Sequence, residues 1–191
     1  MKRIAFTMFL LVLIAGVPAF AGELLSNGGF ETGFLPPWAA GRDFCVGTCI
    51  PWQVTNSTSH SGTFSATVTG NFELRQDFTP TAGSSISSVT FWAIAGFGFG
   101  AIDFFYTGGS DEEFFYNASS TSWTFVDATA DVNASKVLSG FSIWGGSPDG
   151  VYFYDDVSII GGTSTPEPGT FALLGSAILG MAGVVRRKLI P

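Results

Sequence analysis

The sequence predicts an all-β body, an antiparallel β-sandwich, set between two processed ends. Three observations predict it. Apolar and polar residues alternate with period two in the runs that follow Thr63. Clusters of Gly, Ser, Asn, Asp and Pro part these runs at the short spacing of a sandwich. No stretch before Gly169 shows a helical period with caps.

The elements can be taken in chain order. Met1, Lys2 and Arg3 precede an apolar run from Ile4 to Val17, and Ala19-Phe20-Ala21 places small residues where a signal peptidase cuts. Residues 1–21 therefore read as a signal peptide, and the mature chain is expected to begin near Gly22. Residues 22–162 form the sandwich domain. Phe64, Ala66 and Val68 share one face of a strand, with Thr63, Ser65, Thr67 and Thr69 on the other. Phe72, Leu74, Gln76 and Phe78 alternate with Glu73, Arg75 and Asp77 in the same way. Further strands are expected at "SVTFWAIAG", "FGAIDFFYTGG", "EEFFYNAS", "SWTFVDAT", "LSGFSIWGG" and "GVYFYDDVSII".

The C-terminal segment, residues 163–191, reads differently. Gly169 to Val185 is a run of 17 uncharged residues, about 26 Å long as a helix and just enough to cross a thin bilayer. Arg186, Arg187 and Lys188 follow it, which keeps that end cytoplasmic and puts the body on the far side of the membrane.

Charge excludes some partners. Of the 8 basic residues only Arg42, Arg75 and Lys136 lie in the body, against 14 of the 15 acidic ones, a net charge of −11. Nucleic acid and anionic membrane surfaces suit such a body poorly, whereas cations and neutral ligands such as sugars do not. Cys45 and Cys49 are the only cysteines. Export to an oxidising compartment favours their pairing as a disulfide over a metal or redox role.

Pro166, Glu167 and Pro168, followed by Gly-Thr, a short apolar span and the basic clip of Arg186, Arg187 and Lys188, resemble the PEP-CTERM sorting signal of Gram-negative bacteria. The resemblance implies recognition by an exosortase, which cleaves near Pro-Glu-Pro and hands the protein to the cell surface or extracellular matrix. The span 169–185 would then be a transient inner-membrane anchor.

In the body, "ELLSNGGFETG" with Trp38 after it, "SHSGTFSATVTG", "LRQDFTP" running into "SVTFWAIA", and "VYFYDDVSI" are similar to the galactose-binding-like jelly roll of many carbohydrate-binding modules. That implies a jelly-roll sandwich and, more weakly, sugar binding, because this fold carries many functions. It also implies a structural Ca²⁺ held by Glu31 and by Asp155 or Asp156, with carbonyls from the turn around Ser59 to Gly62; calcium wants six to eight oxygens. Along the last strand, Val151, Phe153, Val157 and Ile159 share a phase, which puts Asp155 on that apolar side, where a bare carboxylate would need a cation or several donors.

The body is rich in aromatic residues, the chain holding 20 Phe, 5 Trp and 4 Tyr. Trp92, Phe105, Tyr116, Trp144, Tyr152 and Tyr154 read first as core and second as platforms on which sugar rings could stack. Catalysis has little support. Asp111, Glu112 and Glu113 follow "TGGS" and read as a solvated hairpin tip, and His60, the sole histidine, has no orienting acid near it in sequence. The three Asn-x-Ser/Thr triplets at Asn56, Asn117 and Asn133 read as chance matches in a bacterial protein. The expectation is an exported, surface-sorted, non-catalytic module of the envelope or exopolysaccharide matrix, binding carbohydrate or mediating adhesion. A purely structural matrix protein and a hydrolase are the alternatives.

Overall fold

Alternation along the chain gives each strand one apolar face, and the computed structural model pairs those faces across two antiparallel sheets. It describes residues 21–47, 49–147 and 149–162. The strands are β1 (Gly22–Glu23), β2 (Ala39–Asp43), β3 (Ile50–Thr55), β4 (Ser65–Thr69), β5 (Phe72–Ala82), β6 (Ile86–Ala95), β7 (Phe99–Tyr106), β8 (Ser110–Asn117), β9 (Thr124–Asp127), β10 (Val137–Trp144) and β11 (Val151–Gly161). One sheet runs β3-β4-β11-β6-β9, with β1 also beside β11, and the other runs β2-β5-β10-β7-β8. Every strand expected between Thr63 and Ile160 is present; β1, β2 and β3 are additions. The signal peptide through Phe20, and the sorting segment with its apolar span, lie outside the described residues.

The inner faces meet in a core of Leu74, Phe91, Phe104, Leu138, Phe141, Ile143, Tyr152, Tyr154 and Ile159, all fully buried. Each such side chain contributes about 1.5–3 kcal/mol. Aromatic rings knit the two sheets. Phe91 meets Tyr154 and Phe141, and Phe104 meets Phe141, at centroid separations of 5.6–6.5 Å. A buried chain of hydrogen bonds runs from Tyr116 through the Tyr154 hydroxyl to the Trp144 carbonyl. Tyr116, Tyr152 and Tyr154 are thus core residues rather than ligand platforms.

β11 changes phase partway along its length. Tyr152 and Tyr154 point into the core, whereas Val151 is exposed and Phe153 half-buried on the opposite side. A bulge at Asp155 and Asp156, where the pairing with β6 shifts register and Asp156 takes φ of 49°, then resets the phase so that Val157 and Ile159 point inward. Uninterrupted alternation would have put Asp155 with Val157 and Ile159. With the extra residue, Asp155 stays with Val151 and Phe153 on the outer side of the sheet, where loop 59–62 covers it completely.

Candidate functional site

The outer face of the second sheet gathers residues that are far apart in sequence. Because Leu74, Ile102, Phe104, Phe141 and Ile143 face the core, their neighbours Glu73, Arg75, Asp103, Phe105, Ser142 and Trp144 face away from it. Register sets them side by side. Glu73 is opposite Trp144, and Ser142 lies between Arg75 and Asp103. On β8, Asp111 is opposite Phe105 and Glu113 opposite Asp103.

Arg42, on the edge strand β2, binds this face together. Its backbone N–H and its Nε donate to Glu73 Oε2 at 2.8 and 3.2 Å, one terminal nitrogen meets Asp103, and the other lies 3.3 Å from Asp111. Trp144 Nε1–H donates to the same Asp103 carboxylate at 2.9 Å. The guanidinium lies 5.0 Å from the Trp144 ring, whose other neighbour is the exposed Phe44, stacked at 5.9 Å and 19°. Arg75 sits 3.6 Å over the Phe105 ring and pairs with Asp77 at 2.6 Å. Gly41 precedes Arg42 because any Cβ there would run into the Glu73 carboxylate.

Arg42, Glu73, Arg75, Phe105 and Asp111, with Ser139, line an open cavity of about 540 Å³. Glu73 and Asp103 are 3% and 1% exposed, and Glu73 Oε1 and Ser142 Oγ are buried with no hydrogen-bond partner. Burial raises the Asp103 carboxyl above its ordinary value, against the opposing pull of Trp144 and Arg42. Burial also works against the Arg42 charge, but Glu73, Asp103 and Asp111 outweigh it and hold the guanidinium above its usual pKa. The combination is a polar groove floored by carboxyl groups and a guanidinium and flanked by apolar rings, which suits a ligand having both hydroxyls and an apolar face.

The residues expected to hold calcium come together on the other sheet. Glu31 accepts the backbone N–H groups of Thr63 and Phe64 at 3.0 Å. Asp155 Oδ2 accepts those of His60 and Ser61 at 2.8 and 3.2 Å, and its Oδ1 accepts that of Asp156. Asp156 bonds His60 Nδ1 and Ser61 Oγ, both at 2.7 Å. Gly62, at φ of 57°, has no side chain to collide with Glu31. The His60 ring stacks on Trp92 at 3.7 Å, so Trp92 is covered by the same loop. This is a clasp that fastens loop 59–64 to the sheet. It turns N–H groups, not carbonyls, towards the carboxylates, and among the described residues no three of His, Cys, Asp or Glu are gathered so as to hold a metal. The residues as arranged do not fit a calcium ion, and burial raises the Asp155 carboxyl against its N–H donors.

Other sequence expectations find places too. Cys45 and Cys49 are joined, with Cα atoms 6.2 Å apart. Asp111, Glu112 and Glu113 are the opening of β8 rather than a hairpin tip: Asp111 reaches Arg42, while Glu112, on the opposite phase, binds Lys136 at 2.8 Å and Asn133 at 3.2 Å. Of the six aromatic residues read as possible platforms, Phe105 lines the groove, and Trp144 is buried beside it against Arg42 and Phe44. Arg42, Glu73 and Asp103 escaped the sequence reading, although Asp103 in the apolar run "AIDFFY" was a signal, since a charge there demands a partner.

Comparison with known proteins bears on both ends of the argument. Residues 164–188 match the PEP-CTERM protein-sorting motif. A search of curated proteins gave no match. Among solved structures, the chain is similar to TmCBM61, solved in complex with β-1,4-galactotriose, at 20% identity and a TM-score of 0.54, covering 74% of this chain and 99% of that one. It is also similar to the CBM22-1–CBM22-2 tandem domain of Paenibacillus barcinonensis Xyn10C, at 14% identity and a TM-score of 0.51, covering 81% of this chain and 49% of that one. A third similarity is to the enzymatically active domain of bacteriophage CBA120 tailspike protein 4, at 14% identity and a TM-score of 0.53, over 74% of this chain and only 21% of that one. The chain therefore carries a PEP-CTERM sorting motif, the mark of an exported, exosortase-processed surface protein, behind a β-sandwich with the fold of carbohydrate-binding modules.

Proposed function

We propose that the protein is a non-catalytic carbohydrate-binding module of a Gram-negative cell surface, sorted there by an exosortase after transient anchoring in the inner membrane, and that it holds an exopolysaccharide on the outer face of the β2-β5-β10-β7-β8 sheet. The observation that carries this reading is the groove in which one guanidinium, Arg42, ties Glu73, Asp103 and Asp111 together beside Trp144 and Phe105. Fixed charged acceptors and donors recognise hydroxyls in the plane of a sugar ring, and the aromatic faces take its C–H surface. The solved modules of like fold support the reading, as does the sorting motif, which delivers the domain to where such polymers are.

One observation favours hydrolysis instead: two carboxylates, Glu73 and Asp103, are buried on the same face of the sheet and meet one guanidinium. Glycoside hydrolysis needs one carboxylic acid free to give a proton and a second carboxylate free to attack or to activate water. Here both are bonded to Arg42, which favours binding over turnover. Screening the purified protein on an array of polysaccharides tests the proposal, followed by mass analysis of every bound oligosaccharide after prolonged incubation. Retention of at least one glycan, unshortened, is the expected result. Retention of none, or cleavage of the bound chain, would overturn it.

A further inference from the structure

The outer face of the β3-β4-β11-β6-β9 sheet differs in kind from the charged groove on the other sheet. An antiparallel sheet with one face in solvent ordinarily shows polar residues there. On this one Ile50, Phe125 and Val151 are exposed, and Trp92, Ile94 and Phe153 are half-buried. The core does not account for them, because Ala66, Phe91, Ala93, Tyr152 and Tyr154 take the inward positions of the same sheet. Register joins the outward side chains into a strip. Phe153 lies between Ile94 and Thr67, Val151 is opposite Thr69 and Thr69 opposite Ile50, and Trp92 is opposite Phe125.

The strip also lacks exposed charge, in a body of net charge −11. Asp155, beside Trp92, is sealed under loop 59–62, and Asp127 and Asp156 stand at the margin, the first bonded to Thr129 and the second to His60 and Ser61. Two such bodies repel where their acidic faces approach, and an uncharged apolar face lowers that barrier. It is moreover self-complementary, as a twofold contact between identical chains requires. A sugar finds less here, since His60 caps Trp92 at 3.7 Å and Ile50, Ile94 and Val151 offer no flat ring. We infer that two copies of the chain pair through this strip, sheet against sheet at about 10 Å as within each sandwich, with both grooves left facing outward.

Sedimentation equilibrium of protein extracted from the cell surface, over a range of concentrations, is the test. Wild type should form reversible dimers. Val151→Asp and Phe125→Asp, both at exposed positions, should raise the dissociation constant at least about a hundredfold, because each puts an unpaired charge into the contact from both copies. Phe115→Asp, at an exposed position on the other sheet, should leave it unchanged. Added salt should tighten the wild-type dimer, since it screens the repulsion between the bodies and leaves an apolar contact intact. A wild type that stays monomeric throughout would overturn the inference, as would dimers equally tight in Val151→Asp and Phe125→Asp, or dimers that salt disperses. A monomeric wild type that loses its retained glycan in both variants would overturn it by giving the strip to the glycan.

Discussion

The guanidinium of Arg42, on the edge strand β2, meets the carboxylate of Asp103, on β7, across the two intervening strands β5 and β10. That single contact makes the outer face of the sheet one electrostatic unit. Two carboxylates that would otherwise be buried and uncompensated depend on it.

Arg42→Ala is therefore expected to destabilise the domain by about 1–3 kcal/mol, less than a fully buried pair because Arg42 is 45% exposed. Adding Asp103→Asn should recover part of the loss, since it removes one stranded charge while an amide oxygen can still accept from Trp144. Chemical denaturation of the two variants checks this. A double variant no more stable than the single one would show that the Arg42–Asp103 contact is not what holds the face together.

The clasp on the other sheet gives a second prediction. Hydrogen bonds from four backbone N–H groups of loop 60–64 to Glu31 and Asp155 account for the loop without an ion. Glu31→Gln should cost about 1–2 kcal/mol, and thermal unfolding of the wild type should be the same in calcium and in chelator. An upward shift with calcium would mean that the loop turns carbonyls towards an ion shared with Glu31, Asp155 and Asp156.

Acid stability supplies a third. The hydrogen bond from Lys136 holds the Glu112 carboxyl below its ordinary value of 4.5. A depressed folded pKa contributes stability that is complete above the unfolded value and disappears as pH falls through the folded one. Wild type should thus exceed Glu112→Gln in stability at neutral pH, and the gap should close below pH 4.5. A constant gap across that range would remove Lys136 as the cause.

Two covalent expectations can be read in one mass spectrum of surface-extracted protein. Processing at the sorting motif predicts a chain ending near Thr165 to Gly169, and Cys45 with Cys49 predicts an unreduced mass two protons light. Retention of Arg186 to Pro191 would contradict the first, and alkylatable thiols the second.

The strands from Thr63 onward were legible because each buries one face, and period two records that directly. β2 was not, since its five residues are exposed on both sides and "AAGRD" carries no alternation. Glu31, Asp155 and Asp156 were legible as a group through the resemblance, yet the side of the sheet on which Asp155 lies was not. One bulged residue reverses the phase, and nothing in "YFYDDVSII" marks it. The groove was the hardest part to read. Arg42, Glu73 and Asp103 each look like an ordinary polar residue on its own strand, and only the pairing order β2-β5-β10-β7 makes them neighbours.

The central claim is that a glycan lies on this face and not on the opposite one. Phe44 and Phe125 are similarly exposed, at 57% and 51%, the first stacked on Trp144 beside the groove and the second against Trp92 on the other sheet. Calorimetric titration of wild type, Phe44→Ala and Phe125→Ala with a glycan retained on the array separates the two faces. Loss of a stacking ring is expected to weaken binding by about 0.5–1.5 kcal/mol, in Phe44→Ala alone. Equal affinity of Phe44→Ala and wild type, with binding lost in Phe125→Ala, would place the site on the other sheet and contradict the account.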